Sequence, residues 1–300
     1  MNRKIIIFIV ISFTFSWLVS LAIWIPGINK GENRLILTLL GVVYMFGPAI
    51  GAIVSQKVSG EKVLSLGVSF KPNIWWLIGI SLTLAISLLN IIISHLLGSG
   101  FNSNWEQFKE SLYLMYGKDQ ASGSILGPVD KLGKLFNYNV FIFYLFSIIM
   151  GVIAGLSLNS IIAFGEELGW RGLMYNELKD SGFVKSSFLI GLTWGVWHAP
   201  IISLGHNFPM HPFEGIFMMI VFCIAMSFIM NYFRYRSNSV VLSSMMHGTF
   251  NGVAGLYIYT NYLKNDILYN ITGVSGIIAI ILVLLFILIF DRSILKEKLQ

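Results

Sequence analysis

Apolar residues fall in long blocks spread along the whole chain, and polar residues are confined mainly to the stretches between them. A helix needs about 20 mostly apolar residues to cross a bilayer. Eight blocks meet that requirement, at roughly 5–26, 35–55, 75–97, 139–165, 186–205, 213–233, 239–260 and 272–290. Unpaired backbone groups are too costly in hydrocarbon for any open structure, so the blocks predict helices. The expected class is all-α, a polytopic transmembrane helix bundle of about eight spans, with residues 1–300 forming a single membrane domain. The start, NRK followed by IIIFIVISFTFSWLVSLAIWIP, opens like a signal sequence. Its apolar run is too long for an ordinary signal core and no small-residue cleavage site follows, so it reads as a retained first helix.

Between the blocks only 98–138 is sizeable, and it is expected to lie outside the membrane. Within it Trp105, Phe108, Leu112 and Met115 share one helical face, and Ser103 with Glu106 fits a capping box. Two readings fit: a short helix on the outer leaflet, or a partly ordered loop. The pairs Gly47/Gly51, Gly151/Gly155, Gly191/Gly195 and Gly248/Gly252 have GxxxG spacing and predict close helix packing.

Composition agrees with the pattern. The chain is 56% hydrophobic and 11% charged, against roughly 25% charged residues in soluble domains. That predicts a multi-pass protein of the cell membrane. The net charge of +6 does not call for nucleic acid, because the positive-inside rule accounts for it. Arg3, Lys4, Lys57, Lys62, Lys71, Arg171, Lys179, Lys185, Arg234, Arg236, Arg292, Lys296 and Lys298 fall on the side of both termini. The other side holds Lys30, Arg34, Lys109, Lys118, Lys131, Lys134 and Lys264. This bias predicts cytoplasmic termini. The one cysteine, Cys223, lies in an apolar block and has no partner for an intrachain disulfide.

Few polar groups lie within the blocks, and charge there usually marks a partner or a cavity. Glu166 and Glu167 end the fourth block, in GEELGWRG. Glu167 and Arg171 are i,i+4, with the carboxylate N-terminal to the cation, the favourable order. His198 lies in the fifth block, one turn after Trp194 and two residues before Pro200, which can kink the helix. His247 and Asn251 share a face of the seventh. Each feature also has a plain structural reading: an interfacial ion pair, a hydrogen-bonded bundle histidine, polar glue between helices. His95 reads as structural, and His206 and His211 as surface residues beside Pro209 and Pro212. No HExxH or GxSxG occurs. The conjunction says more than its parts, since bundles build sites from inward groups on facing helices.

The three patterns, in this order, resemble the motifs EExxxR, FxxxH and HxxxN of the CAAX prenyl protease and bacteriocin-processing family, also called CPBP or Abi. Here they read Glu166-Glu167-Leu168-Gly169-Trp170-Arg171, Trp194-Gly195-Val196-Trp197-His198 and His247-Gly248-Thr249-Phe250-Asn251. EELGWRG and WHAP are similar to its bacterial branch. The resemblance covers about 140–260, and Trp194 departs from it where phenylalanine is commoner. It implies an intramembrane endopeptidase. Glu166 and His198 would activate a water, His247 and Asn251 would stabilise the oxyanion, and Glu167 and Arg171 would orient the site. The family is commonly labelled metalloprotease, so two options stay open: water activated by glutamate alone, or zinc on Glu166, His198 and His247.

The implied partners are the bilayer and a membrane-associated peptide or protein. No residue indicates that this substrate is prenylated. An ion-coupled transporter, or a non-proteolytic scaffold or immunity protein, would use similar groups differently. At ~1.5 Å per residue, His198 would lie about 18 Å deep and His247 about 12 Å, with Glu166 at the cytoplasmic end of its span. The fourth block must therefore shift or tilt for these groups to meet. Ser157, Asn159 and Ser160 are expected to line a wet cavity there.

Overall fold

The computed structural model describes residues 2–23, 34–116, 126–256 and 265–296. These are mainly helical, without strands. In chain order the main helices are α1 (Arg3–Ile23), α2 (Arg34–Met45), α3 (Gly47–Val58), α4 (Ile74–Leu96), α5 (Trp105–Tyr116), α6 (Leu126–Leu135), α7 (Val140–Leu156) and α8 (Leu158–Glu167). A π-helical turn, Leu168–Met174, follows α8 directly. Then come α9 (Tyr175–Leu178), α10 (Phe183–Trp197), α11 (Ala199–Ser203), α12 (Pro212–Ser237), α13 (Val240–Ala254), α14 (Asp266–Tyr269) and α15 (Val274–Phe290).

Each of the eight apolar blocks is helical where it is described; 24–26 and 257–260 lie outside the described residues. Among the described residues five helical stretches are long and apolar enough to cross a membrane: Arg3–Ile23, Ile36–Val58, Ile74–Leu96, Pro212–Ser237 and Asp266–Phe290. The blocks that carry the motifs differ. The fourth breaks at Ser157 between α7 and α8, the fifth breaks at His198 between α10 and α11, and α13 has only 15 residues. The break at Ser157 is exposed and its backbone groups are met locally by serine side chains, whereas at His198 side chains of other helices bond the freed Trp197 carbonyl.

Side-chain placement follows membrane logic. Leu18 and Leu21 of α1 face outward, while Ser12, Ser16 and Ser20 on its other face are buried. Lipid is as apolar as leucine, so helices associate through small residues and close packing. The GxxxG pairs do this. A Cβ on Gly47 or Gly51 would collide with Ser16 or Ser12 of α1. Gly151 and Gly155 of α7 face Gly252 and Gly248 of α13, and a Cβ on Gly252 would come within 2.1 Å of the Gly151 carbonyl. This contact fixes α13, and with it His247, against the fourth block.

The helix foreseen at Trp105 exists, and Trp105, Phe108 and Leu112 on its apolar face are buried against Val140, Phe143 and Tyr144 of α7. The side chain of Met115 is outside the described set. The cap is shifted by one residue. Asn104 Oδ1 accepts from Gln107 N at 3.0 Å, and Gln107 Oε1 accepts from Ser103 N at 2.9 Å. Asn104 and Gln107 therefore do what Ser103 and Glu106 were expected to do.

Candidate active site

The site begins where the fourth block breaks. Ser157 donates to the Ile153 carbonyl at 2.6 Å, and Ser160 donates to that of Gly155. These serines satisfy backbone groups at the bend, and neither they nor Asn159 line the cavity expected of them. The bend resets α8, which packs across α13 and α3. With the helix broken at Ser157, Glu166 reaches the same cavity as His198 and His247. Gly165 and Gly169 allow the close approach. A Cβ would come within 2.8 Å of the Met45 carbonyl at the first and 2.6 Å of Pro48 at the second.

The π turn widens the helix immediately after the two glutamates, a feature frequent at functional sites. Two parallel i,i+4 contacts span the junction. Glu167 Oε1 accepts from Arg171 Nη1 at 3.1 Å, and Glu166 Oε2 accepts from the Trp170 indole at 3.4 Å. The two carboxylates have different surroundings. Glu167 is fully buried and also receives His247 Nδ1 at 2.8 Å. Arg171, equally buried, donates from Nη2 to Ser227 at 3.0 Å, and its guanidinium stacks 4.5 Å from the Trp194 ring centroid. Glu166 has no cation hydrogen-bonded to it; Trp194 Nε1 donates to its Oε2 at 2.7 Å. Both indoles thus use one oxygen of the Glu166 carboxylate.

His198 sits at the break between α10 and α11. Its backbone N–H turns to the Gly195 carbonyl at 3.2 Å. The Trp194 carbonyl instead lies 2.9 Å from the His198 ring Nδ1. A carbonyl only accepts, so Nδ1 carries the hydrogen, and in the neutral ring Nε2 keeps a lone pair. Cys223 Sγ lies 3.9 Å from the same nitrogen. The break is held from outside by two donors on one carbonyl. Tyr44 Oη and Trp17 Nε1 donate to Trp197 O at 2.6 and 3.1 Å.

Glu166, His198, His247 and Asn251 all line one cavity of about 390 Å³. Glu167 and Arg171 stand behind its wall. Tyr44, His206 and Asn207 also line it, and sequence reasoning missed all three. Tyr44 had a usable signal, a hydroxyl within a span. His206 was read as a surface residue, and only the fold brings its loop to the cavity. His211 likewise pairs with Asp266 rather than standing free. His95 is exposed at the end of α4. Methionines and aromatics line much of the remaining wall, including Met219, Phe222, Met226, Met230 and Phe250.

In the zinc set weighed from sequence, His198 and His247 each bond a carbonyl or carboxylate through Nδ1 and keep Nε2 free, as metal-binding histidines usually do. Among the described residues no three His, Cys, Asp or Glu side chains are gathered to hold a metal ion. No step is derived through one.

Residues 141–253 match the family described as type II CAAX prenyl endopeptidase Rce1-like. These residues are thus similar to the core of the CAAX prenyl protease and bacteriocin-processing family. The match begins in α7 and ends in α13, so it contains all three motifs. A protein of Methanococcus maripaludis described as CAAX prenyl protease 2 is 28% identical over 140 residues. The alignment covers 45% of this chain and 48% of that protein. The chain therefore spans about half the length of the curated relative it matches. The family core and the apolar helices together make this a multi-pass membrane protein.

Proposed function

We propose that the chain is an intramembrane endopeptidase that hydrolyses a peptide bond in a membrane-associated peptide or protein. The observation that carries this reading is the meeting of Glu166, His198, His247 and Asn251 on one cavity, from three separate helical segments. Glu166 Oε1 and His198 Nε2 hold the attacking water, and one of them takes its proton as the water adds to the scissile carbonyl. His247 and Asn251 face the developing oxyanion. Because His247 Nδ1 points to Glu167, its Nε2 carries a hydrogen only in the imidazolium form. The oxyanion role therefore requires a protonated His247. Glu166 and Glu167 then balance Arg171 and His247 in charge, which suits a poorly solvated site. The methionine and aromatic wall receives apolar parts of the substrate.

Purified protein in detergent should cut a membrane-associated peptide at a defined bond, read by mass spectrometry of the fragments. Asn251→Ala should lower kcat and kcat/KM together, by about a hundredfold, with little change in KM, provided chemistry limits turnover. An unchanged rate in this variant removes the oxyanion role. The orientation belongs to the same proposal, since the lysine and arginine bias puts both termini in the cytoplasm. A cysteine introduced at Asn104, in Cys223→Ser protein, should be labelled by an impermeant reagent added outside intact cells. Labelling only after permeabilisation reverses the topology.

A further inference from the structure

Trp194 contacts four groups of the site. Its indole N–H donates to Glu166 Oε2 at 2.7 Å, and its carbonyl accepts from His198 Nδ1 at 2.9 Å. Its ring lies 4.5 Å under the Arg171 guanidinium carbon and 5.6 Å from the His247 ring. The residue is itself buried, at 4% exposure. We propose that Trp194 is the positioning residue for the water-activating pair, aiming Glu166 with its side chain and His198 with its backbone. This rests on the proteolytic reading of the site.

The geometry gives each contact a definite consequence. A carboxylate on a two-carbon stem can rotate, and either oxygen could face the cavity. The indole N–H is a single fixed donor on a rigid ring, and that ring is clamped by the guanidinium on its face. It therefore pins Oε2 in the protein wall and leaves Oε1 for the cavity. Trp170 bonds the same oxygen at 3.4 Å, too long to replace a 2.7 Å contact. At the other end, the Trp194 carbonyl fixes the His198 tautomer, so that the lone pair is on Nε2. One residue thereby gives the two members of the pair a common reference. Trp194 also stands where the sequence departs from FxxxH. A phenylalanine there keeps a flat ring over which Arg171 can stack and keeps the carbonyl, while it removes the N–H and one ring of the indole, a loss of volume that the Trp170→Phe control shares. The proposal accordingly concerns a property of this chain and not of the motif.

The test uses the full-length protein in detergent, with wild type, Trp194→Phe, Trp170→Phe and Glu166→Gln side by side. Trp194→Phe should lower kcat about tenfold while KM and the melting temperature stay near wild type. Trp170→Phe should change kcat by less than threefold. A second readout does not depend on turnover. With ¹⁵N-labelled tryptophan, the indole N–H resonance lost in Trp194→Phe should lie downfield in wild type and move upfield in Glu166→Gln, where the acceptor is neutral. Wild-type kcat in Trp194→Phe overturns the proposal. So does a Trp194 indole signal that is unmoved by Glu166→Gln. A fall in kcat that comes with an equal loss of melting temperature in both tryptophan variants also overturns it, because that is the signature of packing alone. If Glu166→Gln cleaves like wild type, the proteolytic reading fails instead, an outcome distinct from any of these.

Discussion

Glu166→Gln is expected to lower cleavage by about a thousandfold and to leave the fold intact. The substitution keeps the side chain's size and its planar end. The Gln carbonyl oxygen can still accept from the Trp194 indole that now bonds Glu166 Oε2. No ion pair is broken, because Arg171 and His247 both use Glu167. What disappears is a lone pair basic enough to hold and deprotonate water. General-base catalysis contributes typically 10²–10⁴-fold, and a peptide bond offers little assistance of its own. The check is steady-state kinetics on wild type and variant, with a melting curve to show that both are folded. A variant that cleaves at the wild-type rate removes Glu166 as the base, and the hydrolytic reading with it. A variant that no longer binds substrate assigns Glu166 to recognition instead.

The residues that carry this site were legible because hydrocarbon makes polar chemistry conspicuous. In a chain with so few charged residues, Glu166, Glu167 and Arg171 stand out from their apolar surroundings, and i,i+4 spacing already paired Glu167 with Arg171. The GxxxG pairs were legible for a similar reason, since packing without a hydrophobic drive selects small residues. Three things were not legible. Hydropathy blocks do not show the break at Ser157, because the segment stays apolar and its own serines satisfy the backbone; at His198 the sign was Pro200, which already marked a kink. The division of labour between the glutamates depends on which partners each meets across the bundle, and adjacency in sequence gives no such information. Trp194 stood out only as a departure from phenylalanine, because a period of four places it near His198 but says nothing of an N–H aimed at another helix. Tyr44 and His206 belong to segments outside the motifs, and they reach the cavity only through tertiary contacts.

The shifted cap of α5 makes the same point on a smaller scale. Ser103-x-x-Glu106 and Asn104-x-x-Gln107 are both good capping boxes by residue type. The choice between them is set by which phase buries Trp105, Phe108 and Leu112 against α7. Local chemistry offers the alternatives, and packing selects one.

Arg171→Ala should be the most destabilising single change at the site, costing about 3–5 kcal/mol. Both partners of the Glu167–Arg171 pair are fully buried, at 0% side-chain exposure. Assembling the pair took two charges out of water, and its net contribution to stability is modest. Removing one partner is a different matter, because the other charge stays buried without compensation. Alanine also removes the Nη2 contact to Ser227 and the cation over the Trp194 ring. Glu167 would keep only His247. The measurement is the apparent melting temperature in detergent for wild type, Arg171→Ala, and the double variant Arg171→Met with Glu167→Gln. The double variant leaves no stranded charge, so it should recover most of the lost stability. It should not recover cleavage, because His247 loses the carboxylate that holds its Nδ1 hydrogen and supports the imidazolium. Stability and activity are thereby separated. If Arg171→Ala melts with wild type, Glu167 is not relying on Arg171 and the buried pair is unimportant to the fold. If the double variant regains full activity along with its stability, the Glu167–His247 contact has no part in the chemistry, and the oxyanion role of His247 has to be reassigned.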